Sequence, residues 1–401
     1  MYRKITADFL FNGRQFIPSG TVLVTREDGT VSDLLPVADA GENIEEFDGI
    51  ICPGLVNAHC HIELCHLKDR IPPHTGLCRF VEQVIRSRND SIGQLPEAMQ
   101  KACTQMAAEG IVAVGDICNT DISATLKNNS PLHWHNFIEI SGMQPELASE
   151  RLAAAIKIRN GFESTLEHGQ AEAAGQSKKV SLTPHAPYSV SSVLFDEINR
   201  QTARQLVSLH NQESRDENDF YSNKGGGLPE LYKRLGIDVQ SFQPTGQSSL
   251  QSALSHFNQL QKVLLVHNCF IDRDDIHFMR RRVEEGLISD VSYCLCPNAN
   301  EYIGGIRPPF NLLREEGVAI CLGTDSLASN RQLSLVAEIR TIQETCPDIP
   351  LEELLQWATS NGANALDLGG EIGYFKKSTR PGVVHIRLDD QGRITEGRRI
   401  L

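Results

Sequence analysis

Gly49-Ile50-Ile51-Cys52-Pro53-Gly54-Leu55-Val56-Asn57-Ala58-His59-Cys60-His61 is the stretch that decides how this chain folds. An apolar, strand-forming run ends in two histidines separated by one residue. Alternate side chains of a strand face the same way, so His59 and His61 point to one side and Cys60 to the other. Two neutral imidazoles converging at a strand end suit zinc or a similar divalent ion. An isolated His-x-His pair is equally compatible with a polar strand end, and the rest of the chain has to decide between the two.

Four further polar stations follow apolar, β-rich runs, each spaced for one strand-plus-helix unit. Residues 180–188 carry His185, residues 206–213 carry His210 and Glu213, residues 263–268 carry His267, and residues 318–326 carry Asp325. Five strand ends thus bear His or Asp. Histidines that served only the core would fall at random along the strands.

The 401 residues suffice for one large barrel with an appendage, since a barrel of this type takes about 250 residues or more. A formal net charge of −13 argues against a nucleic-acid backbone or an anionic membrane as the main partner. The first eight residues lack a long apolar segment, so no signal peptide is expected, and no run approaches membrane-spanning length. The eleven cysteines are an odd count, and several (Cys60, Cys294, Cys296, Cys321) fall in expected buried strands, which favours reduced thiols in a cytoplasmic protein. Cys294 and Cys296 are too close for the usual zinc-binding spacing and read as small core residues.

Residues 1–49 show short alternating segments broken by Asn12-Gly13 and Asp28-Gly29, and residues 382–395 read the same way. The two ends are expected to pair into one small β domain. Between them, strand candidates at 51–57, 111–117, 132–140, 178–184, 204–209, 262–266, 288–295 and 317–323 alternate with helical stretches. The expected fold class is α/β: a (β/α)8 TIM-like barrel over 51–366, with a composite β-sandwich from 1–50 and 367–401. The gaps at 141–177 and 214–261 leave room for helices and active-site loops, and the polar segment 163–179 reads as a helix end and loop without function.

On such a barrel the stations lie at the carboxyl ends of strands one, four, five, six and eight, where barrel enzymes place their catalytic groups. His59, His61, His210 and Asp325 can then hold one ion and leave a position open for water, which the ion makes available as a nucleophile. Glu213 is the candidate proton carrier, its alternative being a surface carboxylate near Asp216, Glu217 and Asp219. His267 either stabilises the reacting oxygen or is a hydrogen-bonded core histidine. His185 is placed to contact substrate. His66, His74, His133, His135, His168, His256, His277 and His385 lack a matching partner set and read as structural.

The markers Pro53–His61, Pro184-His185-Ala186-Pro187-Tyr188, His210-Asn211-Gln212-Glu213-Ser214, Val266-His267-Asn268-Cys269, Cys296-Pro297-Asn298-Ala299-Asn300 and Leu322-Gly323-Thr324-Asp325-Ser326, in that order, make the chain similar to the amidohydrolase superfamily. The likeness is to its cytosine-deaminase-like or chlorohydrolase-like, metal-dependent aminohydrolases. His61-Ile62-Glu63-Leu64 followed by Gly76-Leu77-Cys78-Arg79-Phe80-Val81-Glu82 resembles most the aminodeoxyfutalosine deaminases and their relatives. The resemblance implies one divalent metal, Zn2+ with Fe2+ or Mn2+ as alternatives, on His59, His61, His210 and Asp325. A binuclear site is not expected, because no lysine stands at the end of strand four. It further implies hydrolytic deamination of an amino-heterocycle of the purine-nucleoside type, with Glu213, His267 and Asp325 catalytic.

Substrate contacts are expected from His185, Phe80 and Arg307. Arg86 and Arg88 are further candidates for an anionic substituent, because Arg86-Ser87-Arg88-Asn89-Asp90 offers no counterpart to the ribose-holding glutamate of the methylthioadenosine and adenosylhomocysteine deaminases. Ala299 stands where the family has serine. The same site would serve hydrolysis of a cyclic amide, an imine or a C–Cl bond, and a non-catalytic metal-binding homologue is the remote alternative. The expected partner is a small molecule, and a symmetric homodimer is the default assembly.

Overall fold

The computed structural model describes residues 2–167 and 176–401. Five strands come from the N-terminal side: β1 (Tyr2–Phe11), β2 (Phe16–Ile17), β3 (Thr21–Arg26), β4 (Val31–Pro36) and β5 (Glu45–Pro53). Eight strands then alternate with helices: β6 (Leu55–Cys60), β7 (Ile111–Cys118), β8 (His133–Ile140), β9 (Lys178–Pro184), β10 (Leu206–Asn211), β11 (Gln261–His267), β12 (Ile288–Leu295) and β13 (Ala319–Leu322). Finally β14 (Val383–Leu388) and β15 (Ile394–Arg399) return to the first five. The result is one seven-stranded sheet in the order β15-β14-β5-β1-β3-β4, with β2 on β1.

The two chain ends therefore do combine, but in one seven-stranded sheet where a two-layered β-sandwich is expected. Val383 pairs with Pro53 and Ile386 with Ile50, so the carboxyl-terminal hairpin is stitched to the strand that leads into the first histidine station. Ile5, Leu23, Val31, Ile51 and Val383 make its own small apolar cluster. The strand expected at 51–57 is in fact split between two sheets. Residues up to Pro53 belong to the terminal sheet, and the parallel strand starts at Leu55. Gly54 makes the break, because a Cβ there would lie 2.3 Å from Val112 Cγ1 and 2.6 Å from the Pro381 carbonyl oxygen.

The eight inner strands form two four-stranded parallel sheets, β6-β7-β8-β9 and β10-β11-β12-β13. β7 is buried along its whole length, as its Ile-Val-Ala-Val-Gly run requires when both faces are covered. Trp134, Ile138, Leu182, Leu209, Leu265 and Leu295 of these strands join Met106, Phe162, Phe195 and Ile339 of the intervening helices in one core. The two sheets touch at both outer edges. At one, the His210 amide donates to the His185 carbonyl (2.9 Å) and the Ser208 amide to Thr183 Oγ1 (2.6 Å). At the other, Cys60 and Asp325 form a parallel bridge, and the Thr324 amide donates to the His59 carbonyl (3.0 Å).

All eleven cysteines are free thiols. Among the described residues, no helix is long and apolar enough to cross a membrane. Of the segment 163–179, residues up to Glu167 continue the helix Ala148–Glu167 and Lys178 opens β9, while 168–175 lie outside the described residues.

Candidate metal centre and active site

The carboxyl ends of the inner strands bring the stations together. His61 Nε2 lies 3.2 Å from His59 Nε2 and 3.1 Å from His210 Nε2. Asp325 Oδ1 lies 3.4 Å from His61 Nε2 and 3.7 Å from His59 Nε2. Burial pushes the His59 and His210 pKa values down, and for His210 the neighbouring imidazoles add to the effect, so both rings are neutral. His210 Nδ1 donates to the His185 carbonyl (2.8 Å), which fixes the tautomer and leaves Nε2 a bare lone pair facing the others. Asp325 is held from its far side, where Oδ2 accepts from Ser329 Oγ (2.7 Å). Burial opposes its charge, and interaction with His59 together with the imidazoles of His61 and His267 holds it below the usual carboxylate range.

Tetrahedral ligation at about 2.0–2.1 Å sets ligand nitrogens about 3.3 Å apart, and the separations of His61 Nε2 from its two neighbours match that spacing. Backbone detail serves this convergence. Gly323 lets β13 close on β6, since a Cβ there would lie 2.8 Å from His59 Cβ and 3.0 Å from its nitrogen. Gln212, His267 and Asp325 adopt left-handed φ values of 47°, 74° and 57°, a strain that non-glycine residues carry only where surrounding structure imposes it.

Glu213 follows β10 in a turn pinned by the next helix, Arg215–Asn223. Ser214 caps that helix and Glu217 completes a capping box, its Oε1 also accepting from the Glu213 amide (2.7 Å). The Glu213 side chain is 7% exposed; Oε2 lies 3.6 Å from His267 Nε2, and Oε1 has no hydrogen-bond partner among the described residues. Burial, then the nearby Asp325 and Glu217, raise its pKa well above the usual value. His267 is pushed down to about 3 by burial and is neutral. Its Nδ1 accepts from Asn300 Nδ2 (2.9 Å), so Nε2 carries the proton and faces Glu213.

Asn300, Ser329 and Glu217 are parts of the site that residue-by-residue reading of the sequence missed. Asn300 lies inside the Cys296–Asn300 marker, and Ser214-x-x-Glu217 has the spacing of a capping box. Ser329 carried no signal.

A cavity of about 300 Å³ opens onto these groups, lined by His61, His185, His210, Glu213, His267 and Asp325. Phe80, Leu77, Val84, Tyr188, Leu231 and Tyr232 give it a largely apolar wall. Of the expected substrate contacts, His185 and Phe80 line it. Arg307 does not; it pairs with Glu301 (3.3 Å) outside the cavity. Arg86 is likewise turned away, pairing with Glu82 (2.6 Å), whereas Arg88 lines the cavity. The histidines set aside as structural stay apart from the cluster: His66 meets the Arg88 carbonyl, His135 meets Ser181, His256 meets Asp196 and His385 meets the Asp48 carbonyl. His168 lies outside the described residues.

With this geometry in hand, the chain belongs to the amidohydrolase family, whose model matches residues 50–381. It is 26% identical over 341 residues to an adenosine deaminase of Helicobacter pylori, covering 82% of this chain and 78% of that protein. Its fold is that of H. pylori aminofutalosine deaminase crystallised with methylthio-coformycin, with a TM-score of 0.78, 22% identity and full coverage of both chains. An adenosine deaminase of Xanthomonas campestris with bound zinc matches with a TM-score of 0.73 and 20% identity, over 97% of this chain and 85% of that one.

Proposed function

We propose that this protein is a metal-dependent hydrolase that deaminates the exocyclic amine of a purine-nucleoside-like heterocycle and releases ammonia. The observation that carries the reading is the convergence of three imidazole nitrogens and Asp325 on one point, beside a buried glutamate whose Oε1 has no hydrogen-bond partner among the described residues. The deaminase names of the relatives agree with it. His59, His61, His210 and Asp325 would hold one divalent ion. Three imidazoles and a carboxylate suit Zn2+, the ion of the X. campestris neighbour, with Fe2+ or Mn2+ as alternatives. Such an ion supplies Lewis acidity and lowers the pKa of a water molecule toward neutrality.

The remaining chemistry belongs to side chains. Glu213 takes a proton from the attacking water and delivers it to the ring nitrogen of the substrate; the second proton of that water passes to the exocyclic amine, which leaves as ammonia as its C–N bond breaks and the C=O forms. His267 donates its Nε2–H to the oxygen that gains charge as the ring carbon turns tetrahedral, with Asn300 keeping the proton on that nitrogen. His185 and Phe80 flank the heterocycle.

We read the two four-stranded sheets as one (β/α)8 barrel over 51–366, supported by their contacts at both edges, with the terminal sheet of 1–50 and 367–401 as a second domain. The free cysteines support a reducing, cytoplasmic location, and a homodimer is the assembly we favour for a soluble enzyme. Ammonia release from zinc-loaded protein, tested against adenosine, 5′-methylthioadenosine, S-adenosylhomocysteine, aminodeoxyfutalosine, guanine and cytosine, decides the matter. Turnover of one compound that is lost in Glu213→Gln is the expected result. Silence across the panel in fully metallated protein refutes deamination and points to another C–N or C–Cl bond.

A further inference from the structure

One buried carboxylate in the cavity has no part in the proton transfers above. Glu139 stands near the carboxyl end of β8, is 9% exposed at its side chain, and lines the same cavity as Glu213 and Asp325. Its Oε2 accepts from Asn119 Nδ2 (2.7 Å), and Asn119 is anchored in turn, its backbone amide donating to Glu63 Oε2 (3.1 Å). Oε1 is buried and has no hydrogen-bond partner among the described residues.

The nearest donors do not satisfy that oxygen. His185 Nε2 and His210 Nδ1 each stand 3.9 Å away, beyond hydrogen-bond reach, and the latter already donates to the His185 carbonyl. His185 Nδ1 is engaged by Ser189 Oγ (2.6 Å). Glu139, His185 and His210 do offer ligand atoms within 4.8 Å of one another, as a second ion would need. The commitment of His210 Nδ1 to a carbonyl and of its Nε2 to the first cluster argues against that use. A buried acceptor oriented by its neighbour and left without a donor is what a ligand's donor group completes.

Resting on the deaminase reading, we infer that Glu139 determines specificity: its Oε1 accepts a hydrogen bond from a donor attached to the heterocycle, a ribose 2′- or 3′-hydroxyl or a side-chain amine N–H. A substrate whose substituent is wholly apolar would fill the cavity wall and leave this carboxylate desolvated without a partner.

The test compares zinc-loaded wild type, Glu139→Gln and Asn119→Ala, using calorimetric binding and ammonia release. The probes are adenosine, 2′,3′-dideoxyadenosine, 5′-methylthioadenosine and S-adenosylhomocysteine. In Glu139→Gln the Asn119 amide keeps its carbonyl partner, so the new NH2 faces the cavity and a donor replaces the acceptor. If the donor is a ribose 2′- or 3′-hydroxyl, adenosine should then lose about 10- to 100-fold in kcat/KM, mainly through KM, while 2′,3′-dideoxyadenosine changes by less than about threefold; if it is the amine, adenosine and dideoxyadenosine should both stay within about threefold. Asn119→Ala, which frees the carboxylate to rotate, should give a smaller loss in the same order. Equal losses on 5′-methylthioadenosine and S-adenosylhomocysteine identify a hydroxyl donor, and loss on the latter alone identifies the amine. Losses that ignore the hydroxyls and the amine alike overturn the inference, as does a zinc content that falls from two equivalents to one in Glu139→Gln, or absence of nucleoside binding to wild type. Binding that depends on Glu139 without ammonia release would instead refute deamination and keep the contact.

Discussion

Two buried polar clusters sit within the same set of parallel strands, and they are built on opposite terms. Behind β7, Lys127 Nζ donates to Asp116 Oδ2 (2.6 Å), both side chains fully buried, while Asp116 Oδ1 accepts from the Ile62 amide (2.8 Å). Glu63 beside them accepts from the Asn119 and Thr120 amides and from Ser123. The ammonium also stands over the rings of Trp134 (5.1 Å) and Phe162 (5.2 Å). Burial opposes the Lys127 charge, and Asp116, Cys118 and Glu63 together more than offset it, holding this lysine above its usual range.

At the mouth, by contrast, imidazole nitrogens face one another, and His59 Nδ1, Glu139 Oε1 and Glu213 Oε1 have no hydrogen-bond partner among the described residues. A closed network of opposite charges stabilises a fold; a set of like groups with unspent donors and acceptors is completed by something from outside.

The sharpest way to break this contrast is at Glu213. Glu213→Gln should lower kcat by about 10²–10⁴-fold with metal content and melting temperature essentially retained, measured by single-turnover kinetics, metal analysis and calorimetry. Dialysis against a chelator should likewise abolish turnover, with zinc restoring it. Lys127→Met should do the reverse: a loss of about 3–5 kcal/mol in unfolding free energy, read by denaturant titration, because Asp116 is left buried without its countercharge. Preserved stability in Lys127→Met would show that the rear cluster is not the closed network described.

Asn300→Leu sharpens the comparison within the mouth. Losing the donor that sets the His267 tautomer should cost about 10- to 100-fold in kcat with little change in stability. His135 tests a buried group that faces no ligand. Burial lowers its pKa to about 4 from the usual 6.5, so the unfolded chain binds the proton more tightly than the folded one. Its contribution to stability is present above pH 6.5 and is lost as the pH falls toward 4. His135→Gln should therefore flatten the dependence of Tm on pH across that window relative to wild type. The smallest effect belongs to Arg307→Ala, which should leave kcat/KM within about twofold, since this arginine pairs with Glu301 away from the cavity.

The chain's own pattern determined a good deal. Apolar runs of strand length punctuated by polar residues marked all eight inner strands within a few residues, because burial on both faces leaves few other ways to write a strand. His59, His61, His210, His267, Glu213 and Asp325 were legible because each follows such a run, and strand ends are where side chains from distant segments can meet.

What tertiary structure alone decided is everything that depends on proximity without sequence spacing. Only folding brought Lys127 to Asp116 across eleven residues, Asn300 to His267 across 33 and Asn119 to Glu139 across 20. It also assigned the three arginines, turning Arg86 and Arg307 to acidic neighbours and leaving Arg88 at the cavity. A sequence records which chemistry each segment carries, but a hydrogen bond or ion pair requires atoms within about 3 Å, and that distance exists only after the chain has packed.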